Sequence, residues 1–204
     1  MNNKEHKPRR EVSYHAVVMG GSAGGFKAFI AILSSLPKDY ALPILLVQHL
    51  HHNDDGMFSR HLSNALKIPV IEPYDKQTIE PGIVYTAPAD YHMLVEMNKT
   101  IALSTDEKVN WSRPSIDVLF ESAALCYGNR VIGIILSGAS ADGTVGMGAI
   151  KTAGGLTMAQ DPNSSAYPVM PQAAIDAGVV DYILTAEKIG NKLMALGQKS
   201  NQHQ

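Results

Sequence analysis

The sequence predicts an α/β fold: a doubly wound, mostly parallel sheet flanked by helices, with an inserted antiparallel hairpin. Three observations carry this. Continuous runs rich in Val, Ile and Leu alternate with segments whose apolar residues recur at helical spacing, as strands buried on both faces and their covering helices do. A glycine-rich turn, Gly20-Gly21-Ser22-Ala23-Gly24-Gly25, joins the first such run to the first such segment. Between residues 83 and 104 the alternation breaks, and β-like runs follow one another with no helical pattern between them.

The elements follow in order. Val17-Val18-Met19 reads as a buried strand, and Phe26 to Leu36 as a helix. Ile44-Leu45-Leu46-Val47 is a second strand, and Met57 to Leu66 a second helix. The middle holds Ile83-Val84-Tyr85, Met93-Leu94-Val95-Glu96 and Thr100-Ile101-Ala102-Leu103. Met97-Asn98-Lys99 makes a plausible tight turn, which gives the hairpin. The alternation resumes with a helix over Ile116 to Tyr127, a strand over Val131 to Leu136 and a helix over Val145 to Ala153. Short runs at Leu156 to Ala159 and Val179 to Leu184 precede a last helix over Ala186 to Leu196.

The chain's 204 residues suit a single domain with a substantial core, expected over residues 12–199. A disordered tail is expected over 1–11 and a frayed end over 200–204. Hydrophobic residues at 45% against 18% charged place the chain among globular proteins. A net charge of −2 gives no electrostatic reason to expect nucleic acid as a partner. Cys126 is the only cysteine, so no internal disulfide forms. No apolar run approaches the ~20 residues that cross a bilayer, and the polar N-terminus carries no secretory signal. The expectation is a cytoplasmic protein without membrane insertion.

In parallel α/β sheets ligands bind at the carboxyl ends of the strands. Three such ends carry suggestive polar residues: Ser22 after the first strand, His49 after the second, and Asp142 in the run Ser137-Gly138-Ala139-Ser140-Ala141-Asp142-Gly143. The turn around Ser22 alone admits two readings. Gly20, Ser22 and Gly24 meet the Gly-x-Ser-x-Gly pattern of a nucleophile elbow, and a Gly-rich strand-to-helix turn also cradles phosphate on its N–H groups. Taken singly, Ser22 or Asp142 could equally cap a helix and His49 merely end a strand. Taken together they fit one chemistry. A serine hydroxyl becomes nucleophilic when an imidazole takes its proton, and a carboxylate holds that imidazole in the right tautomer. The Ser, His, Asp order, with the elbow on the first strand, differs from that of α/β-hydrolases. His49, His51, His52, Asp54 and Asp55 form a further cluster, but His51 and His52 cannot face the same way in a regular element. No metal and no cofactor is therefore expected. The surplus histidines, His92 among them, read as solvated loop residues.

Gly21-Ser22-Ala23-Gly24-Gly25, Gln48-His49, Arg113-Pro114-Ser115-Ile116-Asp117-Val118-Leu119-Phe120 and Leu136-Ser137-Gly138 with Asp142-Gly143 resemble the catalytic domain of CheB-type protein-glutamate methylesterases. Pro88-Ala89-Asp90-Tyr91-His92-Met93 and Met170-Pro171-Gln172-Ala173-Ala174 extend the likeness from about Tyr14 to Leu196. The resemblance implies hydrolysis of glutamate γ-methyl esters, and deamidation of selected glutamines, on the cytoplasmic helices of methyl-accepting chemoreceptors or a related signalling protein. It implies Ser22 as nucleophile, His49 as general base then acid, and Asp142 as the orienting carboxylate. Backbone N–H groups at Ala23, Gly24, Gly138 and Ala139 are the implied oxyanion and cleft positions, such donors being worth about 3 kcal/mol each.

This chain departs from the family pattern at Ala23, commonly Thr, and at Ala139 and Ser140, commonly Met and Gly. It departs again after His49, where Leu50-His51-His52-Asn53-Asp54-Asp55 replaces a Pro-containing turn. The departures surround the cleft and keep the triad types. They motivate two alternatives, a serine hydrolase of another ester or amide and a catalytically idle receptor-binding module in which the altered loop displaces Asp142. The family's usual N-terminal receiver has no counterpart in residues 1–11, so a stand-alone domain is expected.

Overall fold

The computed structural model describes residues 13–200; the expected tail over 1–11 and all but the first residue of the expected frayed end lie outside them. Seven parallel strands form one sheet in the order β3-β4-β2-β1-β7-β8-β9. They are β1 (Ala16–Gly21), β2 (Ile44–Gln48), β3 (Val70–Ile71), β4 (Val84–Thr86), β7 (Val131–Ile135), β8 (Leu156–Gln160) and β9 (Tyr182–Leu184). The hairpin β5 (His92–Val95) and β6 (Ile101–Ser104) pairs antiparallel beside it.

Helices cover both faces. Val17, Met19, Ile44, Leu46, Ile132 and Ile134 face α1 (Gly25–Leu33), α2 (Met57–Ala65) and α6 (Ala186–Ser200) through one apolar cluster. Ala16, Val18, Leu45, Val47, Val131 and Ile135 point to the other face, where α3 (Ile116–Tyr127), α4 (Thr144–Thr152), α5 (Val169–Asp176) and the hairpin pack. The period of two within each strand, apolar on both sides, is why the runs read as unbroken hydrophobic stretches. Each fully buried Leu, Ile or Phe contributes about 1.5–3 kcal/mol, so this two-layer core dominates the stability of the domain.

Several expectations need correction. Ile83-Val84-Tyr85 does not belong to an antiparallel insert; Val84 to Thr86 is β4, inserted in parallel between β3 and β2. The strand expected over Val179 to Leu184 is confined to β9; Asp181, just ahead of it, accepts from the Thr157 N–H and Oγ on β8. β3 and α5 were not expected: two residues are too short for a periodic signal, and α5 contains Pro171. His92 is not solvated but 2% exposed on β5.

β1 sits at the centre, with the chain moving to one side through β2, β4 and β3 and to the other through β7, β8 and β9. This reversal opens a crevice at the carboxyl ends of β1, β2 and β7, the position at which open α/β sheets bind ligands.

Candidate active site

Parallel register sets the first two residues side by side. Gly21 is paired with Gln48, so Ser22 and His49 leave neighbouring strands at the same level. The tips are stitched together: the His49 N–H donates to Gly21 O (3.1 Å), and Gln48 Nε2 donates to Ser22 O (2.9 Å). From the β7 side, the Ser22 N–H donates to Ser137 O (2.9 Å), and Ser137 Oγ donates to Ala23 O (2.8 Å). Gly24 makes the turn into α1 with φ of 75°, a left-handed conformation that glycine adopts without strain. Gly20 has another reason to lack a side chain, because a Cβ there would collide with Ile116 at the start of α3. That close approach brings the N-terminus of α3 under the strand tips.

Asp142 lies in the loop between β7 and α4, its side chain fully buried, and accepts 2.7 Å from His49 Nε2 to Oδ2. Four further donors converge on it: the Ile116 N–H (2.7 Å), Ser115 Oγ (2.8 Å), Asn110 Nδ2 (2.9 Å) and the Asp117 N–H (3.3 Å). Asp142 therefore caps α3, whose own N-cap Ser115 makes no side-chain cap. The carboxylate meets the positive end of the helix dipole. Asp117 reciprocates by accepting 2.7 Å from the Gly146 N–H in the first turn of α4. Asn110 Nδ2 bridges the two carboxylates, donating to Asp117 Oδ2 at 2.8 Å as well.

The two acids are driven apart electrostatically. Burial opposes ionisation of Asp142, but the donors from His49, Asn110, Ile116 and Ser115 outweigh it and hold its carboxyl below the ordinary range. Asp117 is pushed up, first by burial and then by the charge of Asp142. An ionised Asp142 selects the ring orientation of His49 in which Nε2–H donates to Oδ2 and Nδ1 faces away from the carboxylate. Nδ1 faces Ser112 Oγ at 3.4 Å. Among the described residues Ser22 Oγ makes no hydrogen bond to His49, so the His–Asp half of the constellation is formed and the Ser–His contact is open.

Two clefts meet at this point, sharing Leu50. The one beside Ser22, roughly 400 Å³, is walled by Ala23, Gly24, Gln48, Phe26 and Phe58. The one beside His49, roughly 220 Å³, is walled by His51, His52, Asp90, Trp111 and Ser112. His51 and His52 thus stand at the cleft as solvated residues. Gly138 and Ala139 line neither cleft. The Gly138 N–H already donates to Tyr167 O at 3.0 Å, because α5 and the segment before it fold against this loop. Ser140, one of the altered loop residues, accepts from the Asp142 N–H (3.4 Å), and Asp142 is not displaced.

Sequence reasoning missed Asn110, Ser112 and the role of Ser115. Asn110 and Ser112 occupy a tight turn closed by two bonds, the Val109 N–H to Ser112 O (3.2 Å) and the Ser112 N–H to Val109 O (2.9 Å). His92 anchors the same segment: its Nδ1 accepts from the Ser115 N–H (3.2 Å), so its Nε2–H donates to Glu107 O (3.0 Å). Arg113 adds bonds to Asp90 and to the carbonyls of Thr105 and Asp106. The available signal was the Asn110 to Ser115 stretch itself, polar residues crowded just ahead of an apolar helix.

Comparisons with known proteins identify the family of the fold that carries this site. The family model described as CheB methylesterase matches residues 17–193. A protein of Leptospira interrogans serogroup Icterohaemorrhagiae serovar copenhageni, provisionally named protein-glutamate methylesterase/protein-glutamine glutaminase, is 44% identical over 189 residues, covering 93% of this chain and 98% of that protein. The protein-glutamate methylesterase/protein-glutamine glutaminase of Pyrococcus horikoshii is 37% identical over 177 residues, 85% of this chain but 48% of that protein, so the chain spans about half its length. The crystal structure of the Thermotoga maritima CheB methylesterase catalytic domain superposes with a TM-score of 0.86 at 34% identity, covering 91% of this chain and 100% of that one. On this evidence the chain belongs to the CheB methylesterase family.

Proposed function

We propose that the protein is a serine hydrolase that removes methyl groups from glutamate γ-methyl esters, and deamidates glutamines, on chemoreceptor helices. The names of its relatives supply the two activities. The observation that carries the mechanism is the 2.7 Å bond from His49 Nε2 to the buried Asp142, beside Ser22 at the next strand tip.

In the proposed reaction Ser22 Oγ attacks the γ-carbonyl carbon as its proton passes to His49 Nδ1. Asp142 stabilises the imidazolium through Nε2–H and remains ionised itself. The oxyanion is assigned to the elbow's own N–H groups, Ala23 first, since Gly138 is occupied by Tyr167. Collapse breaks the ester bond, and His49 returns the proton to the leaving methanol. For a glutamine the leaving group is ammonia. A water molecule, deprotonated by His49, then hydrolyses the acyl-serine and regenerates Ser22. His49 must be neutral to act, so activity falls on acidification.

The test is methanol release from a methylated chemoreceptor fragment. The wild-type protein is expected to release it and Ser22→Ala to lose essentially all release; retained release would remove Ser22 as nucleophile. The cleft residues Ala23 and Ala139 favour a second reading, hydrolysis of a different ester. Labelling of Ser22 by a fluorophosphonate with no methanol release would select it.

A further inference from the structure

Asn110 and Trp111 have φ of 50° and 63°, consecutive left-handed residues at the two central positions of the Val109–Ser112 turn. Such a turn usually places glycine second, because a side chain there is strained. Here that position holds the only tryptophan of the chain, and the residue is 95% exposed. Its indole is buried against nothing in its own domain, so packing does not account for it. The turn cannot relax the strain either. Two backbone bonds close it, and Asn110 clamps it to Asp142 and Asp117. Strain retained in this way marks a functional position more often than a structural one.

Trp111 borders the cleft that contains His49. Two of the charged groups there are committed to each other, Arg113 to Asp90 and to two carbonyls, while the exposed Lys108 lies at the same cleft. Trp111 and Leu50 supply the apolar surface. From this we infer that Trp111 is a substrate-gripping residue, its indole covering an aliphatic side chain of the substrate polypeptide next to the reacting glutamate. Because Asn110 ties the same turn to Asp142, the indole sits at a fixed distance from the His49–Asp142 pair. Binding of the polypeptide is thereby registered against the reacting atoms. The inference rests on the hydrolase reading above.

The experiment uses the full chain and its single tryptophan as the reporter. Ser22→Ala is titrated with a methylated chemoreceptor fragment, and a saturable blue shift of Trp111 emission is expected as the indole leaves water. In parallel, Trp111→Gly, which suits the turn and should fold at least as well, is compared with wild type on the fragment and on a small glutamate γ-methyl ester. The ratio of kcat/KM on the polypeptide to that on the small ester is expected to fall about tenfold, through KM. Unchanged emission on binding, or an unchanged ratio, overturns the proposal while the hydrolase reading stands. A blue shift produced by raising the protein concentration alone also overturns it, assigning the indole to self-association. Absence of methanol release by the wild type from either substrate removes the hydrolase reading, and this proposal with it.

Discussion

Ser22 and His49 stand at the tips of β1 and β2 and Asp142 in the loop that follows β7, whereas Asn110, Ser112 and Ser115 belong to an irregular segment before α3, yet both regions converge on the same carboxylate. The strand tips are positioned by sheet register, which two hydrophobic layers enforce. The segment is positioned by a turn closed on its own backbone and by side-chain hydrogen bonds through His92, Arg113 and Asn110. The difference separates two tasks. The sheet brings the proposed reacting groups together, and the segment surrounds the carboxylate among them with donors.

The largest effect should come where the regions meet. Asp142→Asn removes the charge that holds His49 and is expected to lower kcat roughly 10³- to 10⁴-fold. It should also destabilise the fold by about 1–3 kcal/mol, because an amide nitrogen replaces one of the two acceptor oxygens and leaves buried donors around it unsatisfied. If turnover falls and the urea midpoint does not, the capping half of the comparison is wrong. The folded pKa of Asp142 lies below its unfolded value, so its stabilising contribution is present above the ordinary carboxylate range and lost as pH falls through the folded pKa. Asp117, raised in the folded state, works in the opposite sense: its contribution is present in acid and lost as pH rises through its folded pKa. The midpoint gap between wild type and Asp142→Asn should therefore be widest near neutrality and close on acidification.

Asn110→Ala tests the segment alone. Loss of a charge-assisted donor should reduce kcat about 10- to 100-fold with little change in KM. Asp142, having lost one of its donors, should protonate at a higher pH, so the stability of this variant should begin to fall at a higher pH on acidification than that of the wild type; an unmoved onset would make Asn110 a mere loop anchor. The smallest effect is expected for Ser112→Ala, whose 3.4 Å contact to His49 Nδ1 is long; a loss beyond about threefold would promote it to a positioning residue.

Legibility in the sequence follows the same division. Val17 to Met19, Ile44 to Val47 and Ile132 to Ile135 are apolar on both sides because both faces are covered, and that pattern exposes the strand tips and with them Ser22, His49 and Asp142. β4 was misassigned because three residues beside a hairpin carry no sign of the parallel partners on β2, from Ile44 to Leu46. His92 looked solvated because its burial depends on the Ser115 N–H and Glu107 O, groups that composition does not reveal. Gly138 looked like an oxyanion donor until α5, itself unexpected, brought Tyr167 onto its N–H. Side-chain bonds across long separations leave no periodicity to read.

Asp142 caps α3 while Asp117 caps α4, so the proposed orienting carboxylate is also a joint between two helices. Selection for a foldable chain would preserve it even after selection for turnover had ceased. A descendant that abandoned hydrolysis for simple docking could shed Ser22 at little cost, yet would retain this aspartate. Within such a lineage the nucleophile, and not the acid, would be the marker of a living enzyme.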